Sequence, residues 1–295
     1  MGEFSSANPG YGSAVRGASL AFPASLLVLA VIVAPMIMLF RDSFNRFESS
    51  IMVAAFTFDN YIRFFTDPYY QHVLLSTLYI AAVCTTLSLV LGFPVAYFLA
   101  KSRSRHKSIY IILLVFPLVV GSVVRSAGWM MILGDTGVIN YILNYLGLTT
   151  KPIHLMYTPL AVIIGTTSVV MPYLILILQS VLEGIDFLVE EAAQNLGASF
   201  PVTLRRVVIP LVAPGIATSS VLVFILCMNA FATPVLLGGT GIMMMAPALY
   251  QQMTRASNWP FGAALALILV LTTLVVALLM NWLIHRRYVK TMGIS

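Results

Sequence analysis

Charge is scarce in this chain. Only 9% of its 295 residues are Asp, Glu, Lys or Arg, against 60% hydrophobic, and the mean hydropathy is +0.96. No soluble globular domain of this size carries such a composition, so a large soluble enzyme is excluded. Cysteine is nearly absent: Cys84 and Cys227 both fall inside apolar runs, leaving neither a disulfide framework nor a thiol pair for a metal. None of the four lysines follows a glycine. A phosphate-cradling loop ending in Gly-Lys is therefore missing, and the chain cannot hydrolyse ATP by itself. His72, His106, His154 and His285 lie in loops or at the ends of apolar runs, with no HExxH spacing, so no metal site is expected. The reading is of a protein with no catalytic residue and no cofactor of its own.

Carboxylates are missing where an ion-coupled carrier would need them. All ten acids (Glu3, Asp42, Glu48, Asp59, Asp67, Asp135, Glu183, Asp186, Glu190 and Glu191) stand outside the long apolar runs. Carriers driven by protons or sodium keep ionisable groups near the bilayer midplane, and their lack here puts the driving force outside this polypeptide. The formal charge of +6 comes from basic residues scattered over short loops, a topology signal with no indication of nucleic-acid binding.

What remains is hydrophobic length. Six uncharged or nearly uncharged runs, Leu20–Phe40, Val73–Ala100, Ile109–Leu133, Pro159–Val181, Pro214–Leu237 and Phe261–Ile284, each suffice for a span of about 20 residues. Backbone groups in hydrocarbon must be paired within the segment, and no barrel-like alternation is present, so the fold class is an all-α integral membrane bundle of six transmembrane helices. Lys and Arg concentrate on one side: Arg16, Lys101, Arg103, Arg105, Lys107, Arg205, Arg206, Arg286, Arg287 and Lys290. Basic loops stay cytoplasmic, which puts both termini in the cytoplasm. Residues 1–17 read as a flexible, Gly/Ser-rich cytoplasmic tail, and 18–295 as one transmembrane domain whose first run is retained. Pro35, Pro94, Pro117 and Pro172 are expected to kink their helices.

One cytoplasmic loop is long, residues 183–213. Leu182, Ile185, Val189, Ala192 and Leu196 keep helical spacing, with Glu183, Asp186, Glu190 and Gln194 on another face, which predicts an amphipathic surface helix. Gly197 is placed to end it in the left-handed conformation. Ser199 is placed to cap a second short helix through Phe200, Leu204 and Val208, stopped at Pro210. Ala192, Ala193, Gly197 and Ala198 remove bulk at the corner, so that another protein's surface can approach the backbone. On periodicity alone a solvated hairpin on the membrane face explains the same residues.

The order Glu191-Ala192-Ala193, three residues, Gly197, nine residues, Val207, one residue, Ile209-Pro210 resembles the EAA loop of the inner-membrane permease subunits of binding-protein-dependent ABC importers. Val207 and Ile209 stand where that family has isoleucine and leucine. The resemblance implies a type I (MetI-like) permease fold with cytoplasmic coupling helices in a bacterial inner membrane. It also implies two ATPase subunits that bind ATP and Mg, a second permease subunit and a periplasmic substrate-binding protein. Glu190, Glu191, Ala192, Ala193, Gly197 and Ala198 are the ATPase-coupling residues it implies, Glu191 as polar contact and Gly197 as turn.

Three further stretches are similar to the polyamine (spermidine/putrescine) branch: Phe58-Asp59-Asn60-Tyr61, Arg125-Ser126-Ala127-Gly128-Trp129, and Pro234 to Gly239 with Trp259 to Ala264. They imply a polyamine cargo. Arg125, Trp129 and Asn229 are the candidates for the substrate pathway or a gate. Counted along a straight third helix from Ile109, Arg125 rises about 24 Å, so it either snorkels to the outer interface or anchors or gates the cavity. Asn229 fits an interhelical hydrogen bond or the cavity wall. An importer permease for another small solute, a self-sufficient carrier or channel, and a membrane-embedded enzyme or assembly factor are the competing readings.

Overall fold

Two helix starts show how the polar residues around the apolar runs set the element boundaries. Asp67 accepts the Tyr69 N–H at 2.9 Å and Thr158 accepts the Ala161 N–H at 3.3 Å, each followed by a proline at the first helical position, where its missing donor costs nothing. A computed structural model of the protein describes residues 10–102 and 104–292. Residues 1–9 of the expected tail, and Arg103 of the basic cluster, lie outside the described residues.

The helices in chain order are α1 (Gly10–Asp42), α2 (Asp59–Thr66), α3 (Pro68–Lys101), α4 (Lys107–Val119), α5 (Ser122–Leu133), α6 (Val138–Tyr145), α7 (Pro159–Glu183), α8 (Leu188–Asn195), α9 (Phe200–Thr203), α10 (Ile209–Met228), α11 (Met245–Thr254) and α12 (Trp259–Met292). Between α1 and α2 a small hairpin pairs β1 (Arg46–Glu48) with β2 (Ile51–Val53), antiparallel, with Phe47 opposite Met52. Ser49 and Ser50 make its two-residue turn at φ of 51° and 66°, the sign that suits the twist of a hairpin. Helix α1 carries the first apolar run and begins at Gly10, inside the stretch assigned to the tail.

Among the described residues, four helical stretches are long and apolar enough to cross a membrane: Pro68–Lys101, Pro159–Glu183, Phe200–Met228 and Trp259–Ile284. The expected third span is broken. Its two halves, α4 and the stretch from Ser122, meet at a bend of 97°. Pro117 removes an amide donor in the last turn of α4, Val120 adopts an extended conformation, and Gly121 precedes the new helix. Pro35, Pro94 and Pro172, in contrast, lie inside unbroken helices, so the broken helix needed more than a proline. The depth of Arg125 counted along a straight helix is overturned with it.

The fifth span also differs from its expected bounds. The short helix at Phe200 does not stop at Pro210 but runs into α10 through a π-helical turn at Leu204–Val208, where the Ile209 N–H donates to the Leu204 carbonyl. The wider turn accommodates the proline that would otherwise break the ladder. At the far end α10 stops at Met228, short of the expected Leu237. A second π-helical turn, Pro234–Gly238, follows the gap.

The core lies where α3, α7 and α10 meet, around Ile80, Leu174, Ile175, Leu178, Leu182 and Met228, all fully buried. Glycines permit the close packing: a Cβ at Gly92 of α3 would stand 2.9 Å from a Leu174 methyl, and one at Gly215 of α10 would stand 2.6 Å from a Val181 methyl. Helix α3, with 34 residues, is about 51 Å long at ~1.5 Å per residue, against roughly 30 Å of hydrocarbon. Its ends therefore reach beyond the bilayer core, and Lys101 marks one of them.

Candidate functional site

Two places in the bundle carry the residues singled out from the sequence. The first is the elbow formed by α8 and α9. Helix α8 begins after a turn at Gly184, where Asp186 accepts the Leu188 N–H at 2.9 Å. It ends as expected: Gly197 has φ +90°, its N–H donates to the Gln194 carbonyl, and the Ala198 N–H donates to the Ala193 carbonyl. That pair of bonds satisfies the last carbonyls of the helix. Nothing lies within 4 Å of a Cβ built on Gly197, so its outer side is open. Ser199 precedes α9 without a side-chain capping bond, contrary to expectation.

The amphipathic reading holds at the turn before α8, where Leu182 is buried, Ile185 half-buried and Glu183 and Asp186 exposed, and at Gln194, also exposed, but fails on the rest of α8. Leu188, Val189 and Leu196 face outward, Leu196 at 89% exposure, whereas Glu190, expected on the solvated face, is only 2% exposed. Glu191, Ala192 and Gly197 are exposed, and Ala193 and Ala198 half-buried. Of the six expected coupling residues, five are thus at the surface or its edge, and Glu190 points into the protein. The elbow presents an apolar knob with one carboxylate, Glu191, on a part of the chain beyond the spans. Apolar surface grouped this way marks a face that meets another protein or the membrane. Arg205 and Arg206 are exposed beside it.

Glu190 instead fastens the elbow to the end of α3. Its carboxylate accepts from the Tyr97 hydroxyl at 2.7 and 2.8 Å, from Lys101 Nζ at 2.8 Å and from Gln194 Nε2 at 3.2 Å. Burial pushes the carboxyl pKa up, but the bonds from Lys101, Tyr97 and Gln194 outweigh burial and hold it below the ordinary carboxylate value. The Tyr97 ring packs against both Phe187, at the start of α8, and Phe200, at the start of α9, with centroids 6.3 and 6.1 Å away. On the other side Lys107 of α4 pairs with Glu183 of α7 at 2.7 Å. The basic loop between α3 and α4 and the elbow therefore share one end of the bundle. Sequence reasoning counted Lys101 only as a topology charge and missed Tyr97. The one available signal was their separation by a single helical turn, which puts both on one face of α3.

The second place is where the two helix breaks meet. A cavity of ≈ 270 Å³ is lined by Ser122, Thr166, Tyr173, Leu226, Phe231 and Thr233, among others. Ser122 opens α5, and Phe231 and Thr233 lie in the gap after α10. Arg125, one turn into α5, donates from Nη2 to the Val120 carbonyl at 3.0 Å. A cation near the carbonyl end of a helix is favourable, so Arg125 braces the break at the end of α4. Its Nε and Nη1, like the Thr166 hydroxyl, are buried without a hydrogen-bond partner among the described residues. The Trp129 indole donates to Ser168 Oγ at 2.8 Å, and Ser126 shares a hydrogen bond with Thr233 at 3.2 Å. The stretch Arg125–Trp129 thereby ties α5 to both α7 and the second break. Asn229 is exposed and donates to the Ile225 carbonyl of its own helix at 2.9 Å; among the described residues it makes no interhelical bond.

The other two branch-like stretches are positional. Asn60 donates to the Ser43 and Asn45 carbonyls at 2.8 and 2.9 Å, and Asp59 pairs with Arg46 at 3.0 Å, pinning the hairpin to α2. Phe261 is fully buried against Tyr70, with Arg63 over its ring at 4.4 Å, locking the start of α12 at the end opposite the elbow. Cys84 and Cys227 are buried and free.

Comparison with known proteins bears on the family and the fold. Residues 88–288 match the family described as binding-protein-dependent transport system inner membrane component. The chain is 37% identical over 246 residues to the spermidine/putrescine transport system permease protein PotB of Escherichia coli K12, covering 83% of this chain and 89% of that protein. The Haemophilus influenzae PotB is 30% identical over 243 residues, 82% of this chain and 85% of that one. Among solved structures, a bacterial ABC transporter importing the acidic polysaccharide alginate superposes with a TM-score of 0.77 at 16% identity, over 93% of this chain and 98% of the other. That likeness is one of fold.

Proposed function

Because the chain belongs to the family of binding-protein-dependent transport system inner membrane components, we propose that its α8–α9 elbow receives a separate ATPase on the cytoplasmic side and that its cargo is a polyamine. The chain is an ABC importer permease subunit and not an enzyme; ATP hydrolysis belongs to a partner. The reading gives it two ATPase subunits holding ATP and Mg, a second permease and a periplasmic binding protein, with both of its termini cytoplasmic.

The observation that carries the docking half is the outward apolar face of α8. Leu188 and Leu196 are exposed on a segment beyond the spans, and the corner beside them is kept open by Ala192 and Gly197. Closure of the ATPase pair then moves the elbow and with it the helices that carry the breaks. The cargo half rests on identity to the spermidine/putrescine permeases over most of the chain. Hydroxyl groups and aromatic faces at the cavity suit passing contacts with an ammonium group. With no acid inside the six apolar runs, selection falls to the binding protein.

Uptake of labelled spermidine into proteoliposomes holding the complete system tests both halves. ATP-dependent uptake that requires the binding protein and is competed by putrescine is the expected result. Uptake by this chain alone would overturn the importer reading, and ATP-driven uptake of another solute class in place of spermidine would overturn the cargo.

A further inference from the structure

Helix α3 has no chain connection to the elbow; α7 leads into it and α10 out of it. Each covalent route contains a soft point. Gly184 stands in the turn before α8, Gly197 takes φ +90° between α8 and α9, and the π-helical turn at Leu204–Val208 interrupts the helix beyond. Turns and π-helical segments absorb backbone rotation. A push on the outer face of α8 transmitted only through the chain would be spent on bending at these three places.

We propose that Tyr97, Lys101 and Glu190 form the joint that passes displacement of the elbow to α3, with Tyr97 as a wedge in the crook and Glu190 as its latch. The ring of Tyr97 packs edge-to-face against both Phe187 and Phe200, one at each limb, so a change in the angle between the limbs bears on it. Its hydroxyl holds both oxygens of Glu190, and Lys101 holds one of them at 2.8 Å. With Glu190 2% exposed, a partner surface reaches these bonds only from the side of Lys101, whose side chain is 44% exposed. A carboxylate out of water is held by its donors with a defined geometry and is costly to release, which makes the latch stiff. Helix α3 then packs along α7 in the core, with Gly92 against Leu174 and Ile175, and carries the movement into the bundle. The three are positioning residues, since none touches cargo.

This inference rests on the reading that the elbow receives the ATPase, and the test separates the two. The complete transporter, with its second permease, ATPase subunits and binding protein, is reconstituted with Tyr97→Phe, with Glu190→Gln and with the exchange Lys101→Glu/Glu190→Lys. For the first two, the ATPase is expected to remain bound and hydrolyse ATP, while uptake per ATP falls about tenfold, the scale of losing one hydrogen bond to a charged group. Stimulation of hydrolysis by the binding protein is lost with it. The charge exchange recovers part of the uptake per ATP. Unchanged uptake per ATP in Tyr97→Phe and Glu190→Gln overturns the joint. So does a fall in membrane abundance and ATPase retention with uptake per ATP intact, which is what a merely structural role produces. Leu196→Asp on the outer face checks the docking reading separately: an ATPase still fully retained overturns that reading, and the joint with it.

Discussion

The Tyr97 hydroxyl bonds both carboxylate oxygens of Glu190, at 2.7 and 2.8 Å, across 93 positions of chain. The wedge and the latch are thus one contact. It explains why a glutamate in the middle of a surface helix is buried: the tyrosine packs against two phenylalanines in the crook, and its hydroxyl needs an acceptor there. The acceptor's charge is met by Lys101, which reaches in from the last turn of α3.

Lys101 and Glu190 are not equivalent partners. Lys101→Met leaves a buried carboxylate with only neutral donors, whereas Glu190→Gln leaves a lysine that water already reaches. Removing one member of a buried pair costs several kcal/mol, and the 44% exposure of the Lys101 side chain reduces this through solvent screening. The expected losses are about 1–2 kcal/mol for Lys101→Met and under about 1 kcal/mol for Glu190→Gln. Thermal unfolding of the two variants in detergent, compared with the parent, checks the order.

Acidification should loosen the elbow. The carboxyl of Glu190 lies below its ordinary value of 4.5 in the folded protein, so the stabilisation is complete above that value and is lost as pH falls through the lowered folded value. Amide exchange in α8 should therefore show the same local protection at pH 7 and 6, and lose it under acid. The Glu190→Gln variant should lack that acid-dependent step, since it has no proton to take up at this position.

At Gly197 the fold and the proposed docking can be separated. With φ +90° and no neighbour within 4 Å, an alanine costs only the left-handed backbone, about 1–2 kcal/mol. Gly197→Asp adds a charge and bulk to the outward corner. Both variants should reach the membrane in near-normal amounts. Co-purification of the ATPase should fall well below the parent with Asp and only mildly with Ala.

The cavity between the helix breaks makes its own prediction. Ala230 is one of its lining residues, and Ala230→Phe would place a ring in a space of ≈ 270 Å³. Uptake should drop severely while ATPase attachment stays unchanged. Thr166→Val, in contrast, removes a buried hydroxyl that has no partner among the described residues and should raise stability by about 1 kcal/mol. Uptake assays and melting curves on the same preparations separate the two effects.

Hydrophobic run length announced the helical bundle, because each segment must pair its own backbone in lipid, a local requirement that any stretch of sequence reveals. The left-handed turn at Gly197 was equally legible, since only the residue's own conformational freedom decides it. The breaks were not. Pro117 sits near one, whereas Pro35, Pro94, Pro172 and Pro214 sit in unbroken helices, so what the chain does after a proline depends on the packing around it. Here Arg125 braces the carbonyl end of α4, and Ser126 and Thr233 join the two gaps.

The inward turn of Glu190 was the least legible feature. Periodicity divides a helix into two faces but does not say which one the protein covers, and on α8 the leucines are outside. That choice needed Tyr97 and Lys101, delivered by a helix about ninety residues earlier, and a pairing at that separation exists only once α3 and α7 have packed. Spans, charge asymmetry and the small-residue corner are properties of neighbours along the chain. The broken helices, the cavity and the fastening of the elbow are properties of neighbours in space.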